Sequence, residues 1–256
     1  MSAGLDLKDV TIRFGGLKAV SELTFGVAPG ELVGLIGPNG AGKTTVFNLI
    51  TGVYTPTSGQ IHFEGTPVPG RKPHEITRMG IARTFQNIRL FASLSVLDNV
   101  RAAMMTHLKR GIVHSLTRGP AFHREEECVE KEALELLDIF GLADARDKNA
   151  KDMNYGDQRR LEIVRALATK AKLLLLDEPA AGMNPSEKDD LMTLIRFIKE
   201  RYNLAVLLVE HDMRVVMGIC ERIAVIEYGC KIAEGTPKEI QCDPKVIEAY
   251  LGVCAE

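Results

Sequence analysis

Eight consecutive residues, Gly37-Pro38-Asn39-Gly40-Ala41-Gly42-Lys43-Thr44, match the pattern G-x-x-x-x-G-K-[ST]. The residue types make sense together as phosphate chemistry. Glycines let backbone N–H groups turn inward and approach phosphate oxygens closely. A helix starting at the end of the loop adds unsatisfied donors and a favourable dipole. Lys43 supplies a point charge to the β- and γ-phosphates, and the Thr44 hydroxyl is a ligand for Mg²⁺. Context separates this from a chance glycine-rich turn. Apolar Leu32–Ile36 precede the loop, and Val46, Leu49 and Ile50 follow it at helical spacing, which predicts a strand, the loop and a helix over 42–51.

An acidic pair sits where such a loop needs it. The apolar run 173–176 ends in Asp177-Glu178-Pro179. Two carboxylates are thereby placed at the C-terminal edge of a sheet, where open α/β sheets bind ligands. Asp177 is the expected Mg²⁺ partner, directly or through water. Glu178 is the candidate to polarise the attacking water, provided it reaches hydrogen-bond distance of that water. Alone, the pair would read equally well as a polar strand cap before a turn. The phosphate loop upstream decides for the chemical role.

The elements that must position these residues follow from periodicity. Residues 5–36 carry strand signals, with Leu5, Leu7, Val10 and Ile12, then Val20, Leu23, Phe25 and Val27, and a Pro29-Gly30 turn. Residues 59–64 read as another strand. Residues 87–165 differ: helical segments, an Arg118-Gly119-Pro120 interruption and an amphipathic run over 125–140. Asn184-Pro185-Ser186-Glu187 starts a further helix, with Asn as cap, Pro in the first turn and Glu closing a capping box. Ala205–Val209 and 223–226 are strands. Strands alternating with helices imply a mainly parallel sheet. The predicted fold is α/β: a phosphate-loop NTPase core, an N-terminal antiparallel β subdomain and an inserted α-helical lobe, all one domain over 1–256. The expected boundaries are 1–86 and 166–233 for the core with its β subdomain, 87–165 for the lobe and 234–256 for a C-terminal tail.

Composition narrows the class. A chain of 256 residues has room for one large α/β domain, and 45% hydrophobic with 26% charged residues is ordinary for a soluble protein. The net charge of −2 provides no general field for nucleic acid, so no nucleic-acid partner is expected. No apolar run is long enough to cross a bilayer, and the acidic and basic residues from Asp6 onward argue against a secretion signal. Any membrane role must therefore come through a partner. Five cysteines lie scattered, with no close pair, which fits reduced thiols rather than a disulfide framework or a zinc site. The acidic run 125–127 is read as a solvated helix face.

To this point the chain is some phosphate-loop NTPase. Met153-Asn154-Tyr155-Gly156-Asp157-Gln158-Arg159-Arg160, just upstream of Asp177, resembles the signature of ABC ATPases, usually written LSGGQ, and the whole chain then resembles an ABC nucleotide-binding domain. The resemblance implies roles. Phe14 matches the aromatic that stacks on adenine, and Thr45 extends the nucleotide contacts of the loop. Gln86, in Arg83-Thr84-Phe85-Gln86, matches the Q-loop glutamine that senses the γ-phosphate and Mg²⁺. Residues 180–184 match the D-loop, and His211 the switch histidine. Taken singly, Phe14, Gln86 and His211 would read as core, loop and surface residues; their joint order carries the assignment. The likeness is closer still to the larger ATPase of branched-chain amino acid importers. Phe14-Gly15-Gly16-Leu17-Lys18-Ala19-Val20, the stretch 80–91 (GIARTFQNIRLF), Tyr155-Gly156, 178–185 (EPAAGMNP) and the long segment 106–124 carry it. Two residues depart: Asn154 stands for the signature serine and Asp157 for its glutamine. The Asn amide can still donate, whereas Asp157 adds negative charge near a phosphate-binding helix start.

The resemblance implies an ATPase at the cytoplasmic face of the membrane, using ATP and Mg²⁺. Two such domains close head-to-tail over two ATP molecules, each held between Lys43 of one subunit and the signature Asn154, Tyr155, Gly156 and Asp157 of the other. Implied partners are permease subunits, a second ATPase as homo- or heterodimer, and indirectly a periplasmic or extracellular solute-binding protein. A groove lined by 87–97 is expected to take a short permease helix. The alternatives are an ABC ATPase for urea, amides or another cargo, a non-transport ABC ATPase, and a nucleotide switch without turnover.

Overall fold

The computed structural model describes residues 4–107 and 120–251. Those within Met1–Gln86 and Lys172–Glu256 form one compact unit, and those within Asn87–Ala171 form a second.

In the first unit, β1 (Leu5–Phe14) and β2 (Leu17–Val27) are joined at Gly15-Gly16, and Gly15 takes the left-handed φ of 58° that a two-residue hairpin needs. They pair antiparallel, Leu7 opposite Phe25 and Ile12 opposite Val20, with these apolar side chains buried. With β4 (Ser58–Phe63) and β5 (Thr66–Pro67) they make a four-stranded sheet of order β2-β1-β4-β5. The second sheet contains β3 (Leu32–Ile36), β6 (Ile81–Arg83), β7 (Leu173–Asp177), β8 (Ala205–Val209), β9 (Arg222–Glu227) and β10 (Cys230–Gly235), in the order β10-β9-β3-β8-β7-β6. All its pairings are parallel except β9 with β10. Every residue of β3, β7 and β8 is buried, which explains their continuous apolar runs: a parallel sheet covered on both faces has no solvent side to alternate with.

Around this sheet lie α1 (Lys43–Ile50), α2 (Pro73–Met79), α6 (Pro185–Tyr202), α7 (Met213–Ile219), α8 (Pro237–Cys242) and α9 (Pro244–Leu251). The capping box at α6 is formed as predicted: Asn184 accepts from the Glu187 N–H and the Glu187 carboxylate accepts from the Asn184 N–H. The second unit contains α3 (Val96–Met104), α4 (Pro120–Ile139) and α5 (Tyr155–Ala168), packed through Val100, Ala133, Leu137, Leu161 and Val164. Helix α4 already includes Pro120, ahead of the predicted 125. Most of the stretch 106–124 lies outside the described residues. Strands β3 and β8 match their predicted bounds, and β7 runs one residue further, taking Asp177 into the ladder opposite Val209.

Candidate functional site

The ends of β3, β7 and β8 deliver the predicted groups to one edge of the central sheet, since the three strands are parallel neighbours. Strand β3 lies inside the sheet between β9 and β8, and its carboxyl end lies at the edge where open α/β sheets bind ligands.

The loop after β3 is fixed by its glycines. At Gly37 (φ 151°) a Cβ would lie 2.0 Å from the Ile226 carbonyl oxygen, so only glycine fits. Gly42 precedes α1 at φ 104°, and a Cβ there would approach the Ala19 oxygen to 2.6 Å. The turn after β9 holds the loop from behind, where the Gly229 N–H donates to the Ala41 carbonyl at 3.0 Å. Lys43 donates from Nζ to the carbonyls of Gly37 (2.6 Å) and Pro38 (2.9 Å), which keeps the ammonium over its own loop. Burial draws its pKa below the ordinary lysine value, and the nearby Glu178 and Asp177 carboxylates oppose that shift. Asn39, Gly40 and Thr44 are exposed, and Pro38, Thr45 and Lys43 are half-buried.

Glu178 follows β7 with φ 48°, a conformation a non-glycine residue adopts at a cost of about 1–3 kcal/mol. Its N–H donates to the Val209 carbonyl at 2.9 Å, so β8 holds the strained backbone in place. The carboxylate accepts from Gln86 Nε2 at 3.1 Å and lies 3.8 Å from His211 Nδ1, beyond a direct hydrogen bond. His211 is exposed and Glu178 half-buried. Asp177 is 4% exposed. The oxygen donors of Thr44, Asp177 and Gln86 suit a hard cation such as Mg²⁺. Among the described residues no group of three or more His, Cys, Asp or Glu side chains offers a self-sufficient metal cage, so an Mg²⁺ here would complete its shell with phosphate and water.

Two residues near these groups escaped the sequence reading. Glu210 is buried, and burial pushes its carboxyl above the usual range. One carboxylate oxygen accepts from the Ala180 N–H at 2.8 Å and the other from the His211 N–H at 3.2 Å, tying the 180–184 loop to His211. Arg83, at the end of β6, pairs with Asp177. Glu210 directly follows the apolar strand β8, the same signal that singled out Asp177, whereas Arg83 closes a strand of only three residues and carried no such signal.

Phe14 is 44% exposed, with its ring edge-on to Tyr54 at 5.1 Å. The ring is thus held by one aromatic neighbour while the residue stays open to solvent. In the second unit, Asn154 caps α5: its Oδ1 accepts from the Asp157 N–H (2.8 Å) and its Nδ2 donates to the Asp157 carboxylate (2.7 Å). One of the two N–H donors of the amide expected to serve a phosphate is therefore engaged by Asp157. Tyr155 accepts through its hydroxyl from Arg159 at 2.8 Å, and Arg159 pairs with Glu162 in the interior of this unit. Gly156 is half-buried between them in sequence.

Comparison with known proteins agrees with these features. The family model described as ABC transporter matches residues 20–181. The one described as branched-chain amino acid ATP-binding cassette transporter matches 230–253, including α8 and α9. The chain is 45% identical over 248 residues, 97% of each chain, to the high-affinity branched-chain amino acid transport ATP-binding protein BraF of Pseudomonas aeruginosa. It is equally similar, at 45% over 97% of each chain, to the corresponding protein LivG of Escherichia coli. Among solved structures, the ADP conformation of an ATP-binding cassette of an ABC transporter superposes with a TM-score of 0.84 at 31% identity, covering 99% of this chain and 100% of that one. A nucleotide-free ATP-binding cassette from an ABC transporter gives 0.84 and 31%, covering 98% and 100%.

Proposed function

This chain belongs to the ABC transporter family and is one of its ATPases, and on that premise we propose that it powers an importer of branched-chain or related amino acids from the cytoplasmic face of the membrane. The observation that carries the catalytic reading is the strained Glu178 at the end of β7, with Gln86 on its carboxylate, His211 close by and Lys43 within electrostatic reach. The relatives' transport of branched-chain amino acids supports the cargo.

In this reading, Gly37 to Thr45 wrap the phosphates with backbone N–H groups and the start of α1, and Lys43 moves its ammonium from the loop carbonyls to phosphate oxygens. Phe14 stacks on the adenine. Thr44 and Asp177, with Gln86, hold Mg²⁺, which when bound neutralises phosphate charge. Glu178 orients water and takes its proton, and His211 contacts the γ-phosphate side. The signature residues Asn154, Tyr155, Gly156 and Asp157 serve ATP held by a second ATPase subunit. Phosphate release by the purified protein with Mg·ATP tests this reading. Release above that of heat-denatured protein is expected, and a rate indistinguishable from it contradicts the reading.

The Asn154–Asp157 contact has a measurable consequence. A carboxylate at a helix start already takes the dipole stabilisation of about 0.3–1 kcal/mol that an anion gains there, and here it also occupies one of the two Asn154 amide N–H donors. Asp157→Gln is expected to lower the ATP concentration for half-maximal hydrolysis by about two- to fivefold. An unchanged or higher value would show that the signature tolerates the acid.

The permease contact is proposed for the segment 87–97. Asn99 is fully buried and brackets Phe91, accepting from its N–H at 2.9 Å and donating to its carbonyl at 3.0 Å. The Arg165 guanidinium lies over the Phe91 ring at 4.7 Å. Phe91 and Leu94 nevertheless stay 50% and 38% exposed, a rigidly held apolar pair open to solvent. Phe91→Glu or Leu94→Glu should abolish uptake by the assembled transporter while leaving hydrolysis by the isolated subunit within about twofold, since surface substitutions of this kind seldom disturb a fold. Uptake at the wild-type rate would remove this segment from the interface.

A further inference from the structure

The carboxylate of Asp177 does not stand alone in the interior. Arg83 donates from Nη2 to Asp177 Oδ2 at 2.7 Å, and the two side chains are only 7% and 6% exposed. Its Nη1 donates to Asn48 Oδ1 on α1, also at 2.7 Å. The guanidinium carbon lies 5.2 Å from the centroid of Phe47 and 5.1 Å from that of Phe85, the residue before Gln86. One planar group thus touches three segments: the helix that opens with Lys43-Thr44, the end of β7, and the entry to the Gln86 loop. Thr84 adds a second hold on β7, its hydroxyl accepting from the Asp177 N–H at 3.2 Å.

We propose that Arg83 is a positioning residue for the Mg·nucleotide centre. Its two terminal nitrogens reach two acceptors in a fixed fork, which fixes the rotation of the Asp177 carboxylate relative to α1 and leaves Oδ1 for the metal or its water. Lysine, with one nitrogen on a flexible stem, keeps the charge and loses the fork. Loss of such outer partners typically costs 10- to 100-fold in metal affinity. Arg83 has a second consequence: a buried carboxylate is tolerated only when paired, so the metal site and the fold share this contact. The proposal rests on the reading of Asp177 as the Mg²⁺ partner.

The test is binding of a fluorescent ATP analogue to the full chain, titrated with Mg²⁺ and repeated in EDTA, for wild type, Arg83→Lys and Asp177→Asn. The expected result for Arg83→Lys is metal-free affinity within about twofold of wild type, and a Mg²⁺ half-saturation raised about tenfold or more. Asn48→Ala, which removes one acceptor of the fork and leaves the ion pair, should move the same midpoint in the same direction, and stands in if Arg83→Lys does not fold. An unchanged midpoint in the folded variant, with Asp177→Asn shifted, overturns the role of Arg83 alone. Equal losses with and without Mg²⁺ also overturn it, since a purely structural residue would behave that way. An unchanged midpoint in Asp177→Asn overturns the underlying reading of Asp177 as well.

Discussion

Glu178→Gln is expected to lower Mg·ATP hydrolysis by about 10²- to 10⁴-fold, the usual contribution of a positioned general base, while nucleotide binding stays within about twofold. The amide is isosteric and keeps an oxygen for the Gln86 Nε2 contact at 3.1 Å, so the geometry around the reacting water persists. What it loses is the ability to take a proton. The left-handed backbone at φ 48° is held by the Val209 carbonyl, not by the side chain, and is unaffected. If hydrolysis reopens a closed ATP-bound dimer, as the family resemblance implies, the variant should also elute as a dimer on size exclusion with ATP, where the wild type does not accumulate one. Phosphate release and elution volume check both halves. Residual hydrolysis within tenfold of wild type would place the proton acceptor elsewhere.

Lys43→Met is expected to weaken ATP binding by about 10- to 100-fold, the value of about 1.5–3 kcal/mol for hydrogen bonds to charged groups. Lys43 is half-buried and its Nζ already donates to the Gly37 and Pro38 carbonyls, so little further desolvation opposes its transfer from them to phosphate. Methionine keeps the length and volume of the stem. Apart from the two Lys43 donations to the Gly37 and Pro38 carbonyls, the phosphate loop is held by the glycine conformations at 37 and 42 and by the Gly229–Ala41 contact, which survive the substitution. Melting without nucleotide should therefore change little. The rise in melting temperature that ATP gives the wild type, driven by about 2.7 kcal/mol at a hundredfold excess over Kd, should shrink at the same ATP concentration to that of about 0.4–1.4 kcal/mol. A preserved ATP-induced rise would contradict the assigned role.

Much of the architecture was legible because buried parallel strands advertise themselves. The runs 32–36, 173–176 and 204–209 are unbroken apolar stretches, glycine included, bounded by polar or glycine residues, and strands β3 and β8 lie within the first and last of them. Short edge elements were not. Strand β6 has only three residues, too few for any period, and β10 reads Cys-Lys-Ile-Ala-Glu-Gly, with no clean alternation. Helix α8 carried the same signature as α6, Thr236-Pro237-Lys238-Glu239 beside Asn184-Pro185-Ser186-Glu187, and its capping box is formed. It passed unnoticed because no long apolar stripe follows it. At the site, local motifs fixed which residues to expect, while pairing across the sheet stayed hidden. Arg83 and Asp177 are far apart in sequence, and only the adjacency of β6 and β7 reveals that they meet. Glu210 likewise needs Ala180, which lies one strand away. The Asn154–Asp157 contact was within reach of sequence alone, since a cap and its third following residue are neighbours in every such helix start.

ATP-driven uptake of labelled leucine tests the central claim most directly. The transporter assembled from this subunit and the membrane partners that co-purify with it would be placed in vesicles with Mg·ATP trapped on the side of this subunit. Uptake that requires ATP, fails with ADP and is lost with Glu178→Gln is the predicted result. A complex that hydrolyses ATP at full rate while leucine accumulates no faster with ATP than with ADP would contradict it.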